Sequence, residues 1–252
     1  MKSSLVANGR RIAYYTSGPE QDAFPMVLLH GFCEDASVWD TLLPFFQKQA
    51  VLRIDLPGFG DSALALTPGM DSYAAAVCAV LNERNIKRCV LIGHSMGGYT
   101  ALAFARSYPE RLAGFSLVHS HPYADTVAQI ENRQRGIELL QSGKKDLYVA
   151  QLFPNLFTPE FVRQNPKVLQ ALIQKGQQFS TEGIIAGLQG MLERSNQLEM
   201  LKSISCPVQF ILGDQDALNP LERALAAAAL PDTADIRVFP GIAHMGMFEA
   251  SE

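Results

Sequence analysis

Short, continuous apolar runs recur along the chain, and stretches with helical spacing of apolar residues separate them. Such runs are typical of strands that are buried on both faces of a parallel sheet. An additional strand is predicted at 9–16, after the turn signal Asn8-Gly9. Because strands and helices alternate, the predicted fold class is α/β, with a mainly parallel central sheet flanked by helices. The core strands are predicted at 25–29, 50–54, 88–92, 114–118, 208–212 and 235–239, and the helices at 36–49, 71–83, 96–107 and from 219.

The alternation breaks between residues 123 and 202. This stretch contains no strand-like run but several amphipathic helical patterns, one of which starts at the cap-and-proline signal Thr158-Pro159. We interpret it as a helical insertion between two core strands. The prediction is therefore a core domain made of residues 1–122 and 203–252, with residues 123–202 as a helical cap, or lid, over the sheet.

Composition narrows the class of protein. The chain has 252 residues, 48% of them hydrophobic and 18% charged, with a net charge of −4, which is ordinary for a globular protein. No run of lysine and arginine forms a basic patch, and no stretch has the length of a membrane span or the pattern of a signal peptide. The four cysteines are scattered, which favours reduced thiols. We expect a cytoplasmic monomer or homodimer with no nucleic-acid or membrane partner.

Ligands of parallel sheets bind beyond the carboxyl ends of the strands, so the residues after each apolar run are the candidates for chemistry. After the run at 88–92 the chain reads Gly93-His94-Ser95-Met96-Gly97 and continues as a helix. The pattern G-x-S-x-G between a buried strand and a helix is a nucleophile elbow, in which small glycines permit a very tight turn. Ser95 is therefore the candidate nucleophile.

A serine hydroxyl needs a general base, which should be a histidine that follows an acid in chain order. Of five histidines, His244 alone lies after the last predicted strand. Asp214 and Asp216 both follow the strand at 208–212. Asp216 lies further into its loop, within better reach of His244, while Asp214 is placed to stabilise the turn, so Asp216 is the favoured acid and Asp214 the alternative.

The developing oxyanion needs two backbone N–H donors. One is expected from Met96, the residue after the nucleophile. The other is expected from the loop after the first core strand, where Phe32 follows Gly31.

Taken together, these motifs resemble the α/β-hydrolase fold superfamily over almost the whole chain, and most closely its small capped esterases and enol-lactonases. The resemblance implies that the second aspartate of the G-D-x-D run, Asp216, is the acid, and that no cofactor is needed. Only eight residues follow His244, whereas members of the superfamily usually carry a final helix there. The motifs that carry the resemblance are His30-Gly31-Phe32, Asp55-Leu56-Pro57-Gly58-Phe59-Gly60-Asp61-Ser62, Gly93-His94-Ser95-Met96-Gly97-Gly98, Gly213-Asp214-Gln215-Asp216 and Gly241-Ile242-Ala243-His244.

The substrate pocket is less well specified by the sequence. No metal is expected, because His119 and His121 lack a nearby pair of carboxylates, and Cys33 lacks a base of its own. The residues predicted to line the pocket are His30, His94, His119, Phe153, Phe157 and Met245.

The predicted function is hydrolysis of a carboxylic ester, thioester or lactone of a small molecule through an acyl-enzyme on Ser95. One alternative is a hydrolase of C–C bonds in ring-cleavage products, although resemblance to that group would favour asparagine where His94 stands. The other is a small-molecule receptor of the same fold with slow turnover. Dehalogenases and epoxide hydrolases are disfavoured, because they use an aspartate where this chain has Ser95.

Overall fold

In the computed structural model, which describes residues 1–19 and 23–250, the strands form one eight-stranded sheet. Its order is β1-β2-β4-β3-β5-β6-β7-β8. The pairs β1–β2 and β2–β4 are antiparallel, and the other neighbours are parallel. The strands are β1 (Lys2–Ala7), β2 (Arg10–Ser17), β3 (Met26–Leu29), β4 (Val51–Ile54), β5 (Cys89–His94), β6 (Leu112–Val118), β7 (Val208–Gly213) and β8 (Ala234–Phe239).

The helices lie between and beyond these strands. They are α1 (Met70–Glu83), α2 (Met96–Ser107), α3 (Val127–Gln141), α4 (Lys145–Leu152), α5 (Pro159–Gln164), α6 (Pro166–Gln178), α7 (Thr181–Leu192), α8 (Leu198–Ser203), α9 (Leu221–Ala228) and α10 (Gly246–Glu249). Short 3₁₀ segments span Ala36–Phe46, Pro109–Arg111 and Phe153–Leu156.

The predicted α/β class and mainly parallel sheet are confirmed, since all six predicted core runs are strands β3 to β8. Three details differ from the predictions. The antiparallel strand β1 was not predicted, because its sequence mixes polar and apolar residues as an edge strand does. Strand β8 is exposed along its length, since it pairs on one side only. The predicted helix at 36–49 is a 3₁₀ segment that ends at Phe46; it contains Pro44, which has no N–H for an α-helical ladder.

The order of the strands places a ligand site at one edge of the sheet. The chain moves from β3 outward to β4 and then back across β3 to β5, so the direction of winding reverses at β3 and β5. The crevice at such a reversal, beyond the carboxyl ends of the strands, is where ligands of open α/β sheets bind. The loops after β3, β5, β6, β7 and β8 meet there.

Between β6 and β7 the described chain is helical throughout, from α3 to α8. Helix α3 packs against α7, and α4 packs against α6. Side chains at Thr126, Thr158 and Ser180 accept hydrogen bonds from the first turns of α3, α5 and α7, which stabilises each helix start. The predicted helix start at Thr158-Pro159 is thus confirmed. The division into core and cap domains stays a prediction.

None of the helices in the described part of the chain combines the length and the apolar character needed to cross a bilayer.

Candidate active site

Ser95 lies in the tight turn between β5 and α2. Its backbone adopts φ +51° and ψ −115°, a conformation that costs a non-glycine residue about 1–3 kcal/mol. The turn can close because glycines flank the serine. A Cβ on Gly93 would lie 2.2 Å from the carbonyl oxygen of Gly97, and a Cβ on Gly97 would lie 2.5 Å from that of Leu29. The close contact of α2 with β3 and β5 therefore depends on these two glycines.

The end of β6 holds this strained turn in place. The Ser95 N–H donates to the carbonyl oxygen of Val118 at 2.9 Å. The Ser120 hydroxyl donates to the carbonyl oxygen of Ser95 at 2.8 Å. Both bonds fix the backbone of Ser95 and leave its own hydroxyl for another partner.

That partner is His244, in the loop after β8. The distance from Ser95 Oγ to His244 Nε2 is 2.8 Å, and the distance from His244 Nδ1 to Asp216 Oδ2 is also 2.8 Å. The structure thus brings together the three residues predicted as nucleophile, base and acid. A histidine that donates from Nδ1 to a carboxylate presents Nε2 as an acceptor for the serine proton.

Asp216 is buried and well supplied with donors. Its Oδ1 accepts hydrogen bonds from the N–H groups of Leu218 and Asn219, at 3.0 and 3.1 Å. Burial opposes the charge on the carboxylate, but His244 and His119 hold its pKa far below the ordinary value. Asp216 therefore stays ionised across the physiological pH range, which fixes the orientation of the His244 ring.

The alternative acid, Asp214, lies elsewhere. It is exposed, and its Oδ1 accepts a hydrogen bond from the Gly241 N–H at 2.7 Å. It thereby links the loop after β7 to the loop that carries His244. This is the turn-stabilising arrangement that the sequence predicts for it.

Of the two residues predicted to supply oxyanion donors, Met96 follows Ser95 directly and Phe32 lies in another loop. Met96 is the first residue of α2, so its N–H has no acceptor within the helix. Phe32 lies in the loop after β3 and lines the same cavity as Ser95. The preceding residue, Gly31, is fixed because its N–H donates to Glu34 Oε2 at 2.6 Å.

Glu34 and His94 form a buried pair that sequence reasoning missed. Glu34 Oε2 lies 3.1 Å from His94 Nδ1, and His94 Nε2 lies 2.9 Å from the carbonyl oxygen of His244. Both ring nitrogens of His94 thus face acceptors, which favours its doubly protonated, positively charged form. Burial opposes both charges, yet their attraction lowers the pKa of Glu34 and raises that of His94. The pair ties the loops after β3, β5 and β8 together around Ser95. The available signal was the adjacent acidic pair Glu34-Asp35, close after the motif His30-Gly31-Phe32.

A cavity of about 220 Å³ opens beside Ser95 and His244. This is below the usual volume of ligand sites, about 300–1,000 Å³, which suits a small molecule. Both walls come mainly from the helical segment between β6 and β7. One wall is apolar, and the other, which comes from α3, is polar. The apolar wall is formed by Phe32, Tyr148, Leu152, Leu156, Leu188 and Met191, and the polar wall by Gln129, Asn132 and Arg133.

Of the six residues predicted to line the pocket, His94 lines this cavity and the other five do not. His30 is buried under the loop after β4, where its Nε2 accepts from the Leu56 N–H at 2.9 Å. His119 is buried beneath the site, with Nδ1 3.4 Å from Asp216 Oδ2, and burial lowers its pKa to about 4, which keeps it neutral at pH 7. Both sit within the loops at this edge of the sheet, one layer below the cavity.

The three apolar residues of this prediction pack against other parts of the chain. Phe153 is buried against Gly176 of α6. Phe157 stacks on Phe161 at 4.8 Å between ring centroids and lines a second groove, which His244 also lines. Met245 is fully buried. Apolar sequence alone does not show which side of a helical turn faces the cavity.

Among the described residues, no group of three or more histidine, cysteine, aspartate and glutamate side chains is arranged to hold a metal ion. The four cysteines are free and buried, and burial with the neighbouring Glu34 raises the pKa of the Cys33 thiol well above its usual value. Cys33 is accordingly a packing residue, since a nucleophilic cysteine needs its thiolate form.

The sheet and the site are those of an α/β-type hydrolase: a serine on a strained elbow, with a histidine and an aspartate hydrogen-bonded in series. Comparison with known proteins agrees. Residues 26–252 match the alpha/beta hydrolase family, and the chain belongs to that family. The resemblance seen in the sequence is thus confirmed.

Individual relatives differ in what they do. The chain is 30% identical, over 97% of its length, to the dihydrolipoyllysine-residue acetyltransferase component of the acetoin cleaving system of Pseudomonas putida, and spans 64% of that protein. It is 28% identical to 2-hydroxy-6-oxononadienedioate/2-hydroxy-6-oxononatrienedioate hydrolase of Burkholderia vietnamiensis, over 96% of this chain and 87% of that one. A malate-bound structure of a thermophilic esterase from Thermogutta terrifontis matches with a TM-score of 0.91 and 28% identity, over 99% of this chain and 93% of that chain. Family membership therefore supports a hydrolase, without fixing its substrate.

Proposed function

We propose that the protein is a serine hydrolase that cleaves a carboxylic ester, thioester or lactone of a small molecule through an acyl-enzyme on Ser95. The observation that carries this proposal is the hydrogen-bonded series from Ser95 Oγ to His244 and on to Asp216, with both bonds at 2.8 Å. The chemistry needs no cofactor, because base, nucleophile and oxyanion donors are all parts of the chain.

In the first half of the reaction, Ser95 Oγ attacks the carbonyl carbon while its proton moves to His244 Nε2. The negative oxygen that develops accepts hydrogen bonds from the N–H groups of Phe32 and Met96. Asp216 stabilises the imidazolium. The bond to the leaving group then breaks, the leaving group takes the proton from His244, and the acyl group stays on Ser95.

In the second half, water enters in place of the leaving group. His244 takes one proton from the water as its oxygen attacks the acyl carbon, and the same oxyanion donors act again. When the bond to Ser95 breaks, the proton returns to Oγ. The acid product leaves, and the enzyme is as it was at the start.

The helical segment acts as a cap in this proposal, with residues 123–202 covering a core made of residues 1–122 and 203–252. Its support is that Leu152, Leu156 and Leu188 come from this segment and line the same cavity as Ser95. Such a cap excludes water from the cavity and sets the size of the substrate that fits.

A second candidate is hydrolysis of a C–C bond in a ring-cleavage product. The observation in its favour is the 28% identity to the Burkholderia vietnamiensis hydrolase over 96% of this chain. Resemblance to that group would favour asparagine at position 94, and this chain has His94, so it ranks second.

The test is turnover of p-nitrophenyl esters with acyl chains of two to twelve carbons, together with labelling by a fluorophosphonate probe. We expect turnover and labelling in the native protein, both abolished in Ser95→Ala and both retained in Ser142→Ala, an exposed serine on the helical segment. Labelling of Ser95 without ester turnover would move the assignment to the C–C candidate. Tight binding of a ligand with neither turnover nor labelling would overturn the proposal in favour of a receptor.

A further inference from the structure

The polar wall of the cavity carries the positive charge of Arg133. Glu34 is the one carboxylate among the described residues that line the cavity, and it is already paired with His94. Arg133 of α3 lines the same cavity, with its side chain 18% exposed. The group that balances the charge of Arg133 therefore lies outside the lining of the cavity.

The balancing group is shared between two arginines. Arg133 Nε lies 2.7 Å from Asp125 Oδ2, and Arg194 Nη2 lies 2.7 Å from Asp125 Oδ1. The Asp125 side chain is 1% exposed and that of Arg194 is 6% exposed. Burial opposes ionisation of Asp125, but the two guanidinium groups hold its pKa below the ordinary value. One buried negative charge thus faces two positive charges, which leaves this cluster of three side chains with an excess of one positive charge.

One donor of Arg133 is poorly satisfied. Its Nε and Nη2 donate to Asp125, but its Nη1 donates to the thioether sulfur of Met191 at 3.2 Å. A thioether is a weak acceptor, whereas a guanidinium favours carboxylate oxygens. Asn132, the neighbour of Arg133 on the same wall, adds an amide.

From this excess charge and this weakly bonded donor, we infer that the substrate carries a carboxylate, which Arg133 Nη1 binds while the scissile carbonyl lies at Ser95. The inference rests on the proposed function, since it names the substrate class of that same site. Because Arg133 and Ser95 line one small cavity, the carboxylate is only a few bonds from the carbonyl. The substrate is accordingly a short-chain ester or lactone with an anionic end.

The experiment compares monomethyl glutarate with methyl 4-carbamoylbutanoate, which has the same shape but an uncharged amide in place of the carboxylate. We expect the native protein to favour the anionic ester by about tenfold or more in kcat/KM, as a charge-assisted hydrogen bond implies. In Arg133→Met this ratio should fall towards one. In the matched control Arg135→Met it should persist, because Arg135 lies on the same helix with its side chain 71% exposed and pairs with Glu131.

Equal kcat/KM for the two esters in the native protein would overturn the inference, whatever the variants do. A ratio that persists in Arg133→Met would overturn the role of that residue. If neither ester turns over, the binding of the same two compounds to the native protein is measured by calorimetry. Equal affinities for the two compounds would then contradict the inference. The fluorophosphonate labelling of Ser95 tests the proposed function separately, so the two failures are distinguishable.

Discussion

The buried pair of Glu34 and His94 makes the substitution Glu34→Gln an informative perturbation. Glutamine keeps the shape of the side chain but removes its charge. In the native protein the single oxygen Oε2 accepts from the Gly31 N–H and contacts His94 Nδ1. A neutral His94 that keeps its proton on Nε2, where the His244 carbonyl oxygen accepts it, has an unprotonated Nδ1. No single atom of an amide can then both accept from Gly31 and donate to Nδ1. The loop that carries Phe32 is therefore loosened in the variant, and His94 loses its counter-charge.

The size of the effect follows from the burial of the pair. Breaking a buried ion pair by removing one partner costs about 3–5 kcal/mol. Because glutamine retains one hydrogen bond, we expect a loss of about 3 kcal/mol in the free energy of unfolding. For a protein of this size that lowers Tm by roughly 6–12 °C. Displacement of the Phe32 donor should lower kcat by roughly ten- to a hundredfold.

The loss should depend on pH in a definite direction. A carboxyl whose pKa is lowered on folding, as for Glu34, stabilises the fold above its unfolded pKa of about 4.3. An imidazole whose pKa is raised, as for His94, stabilises it below its unfolded pKa of about 6.5. The pair thus contributes fully between these two values. Its contribution declines as the pH falls through the lowered pKa of Glu34 or rises through the raised pKa of His94.

The assay is urea unfolding of the native protein and Glu34→Gln at a series of pH values, with p-nitrophenyl acetate turnover measured beside it. Glu199→Gln is the matched control, since the Glu199 side chain is 85% exposed. The difference in the free energy of unfolding should be largest near pH 5–6 and smaller at pH 9. A variant with native kcat, and a stability difference that is small or independent of pH, would refute the role assigned to the pair.

Two further predictions concern the elbow and the acid. In steady-state kinetics, Asp216→Asn should lower kcat by roughly 10³–10⁴-fold. Asp214→Asn should lower kcat by less than about tenfold, because the asparagine oxygen still accepts from the Gly241 N–H. A larger loss in Asp214→Asn than in Asp216→Asn would make Asp214 the acid. Gly97→Ala should destabilise the fold by more than about 3 kcal/mol, because its Cβ would meet the Leu29 carbonyl oxygen at 2.5 Å. In Gly143→Ala the Cβ would meet open space, so only the backbone strain at φ +78° should cost stability, about 1–2 kcal/mol by urea unfolding. Equal losses of stability in the two variants would contradict the close contact at Gly97.

The fold and the hydrogen-bonded series were predictable because each depends on local pattern and chain order. Continuous apolar runs indicate strands buried on both faces, and the carboxyl ends of parallel strands meet at one edge. Ser95 follows β5, Asp216 follows β7 and His244 follows β8, so the topology alone brings them to that edge. Their separation in sequence, from 28 to 149 residues, does not matter to this argument.

The pocket was not predictable in the same way, because it depends on how the helices between β6 and β7 are rotated. Phe153 was expected at the cavity, yet its neighbours Leu152 and Leu156 line it instead. A rotation of one residue along a helix turns a side chain by about 100°, and the sequence does not record which face meets the site. The role of Arg133 likewise depends on Asp125 being shared with Arg194, an arrangement visible only in three dimensions.

The central claim is that Ser95 carries the acyl group of the substrate during turnover. Its most direct test is an acid quench of the native protein during hydrolysis of p-nitrophenyl acetate, followed by mass spectrometry of the tryptic peptide 89–106. We expect an acetyl group on this peptide, assigned to Ser95 by fragmentation and absent from the Ser95→Ala control. Continued turnover with Ser95 unmodified, or acetylation of another residue such as Cys33, would contradict it.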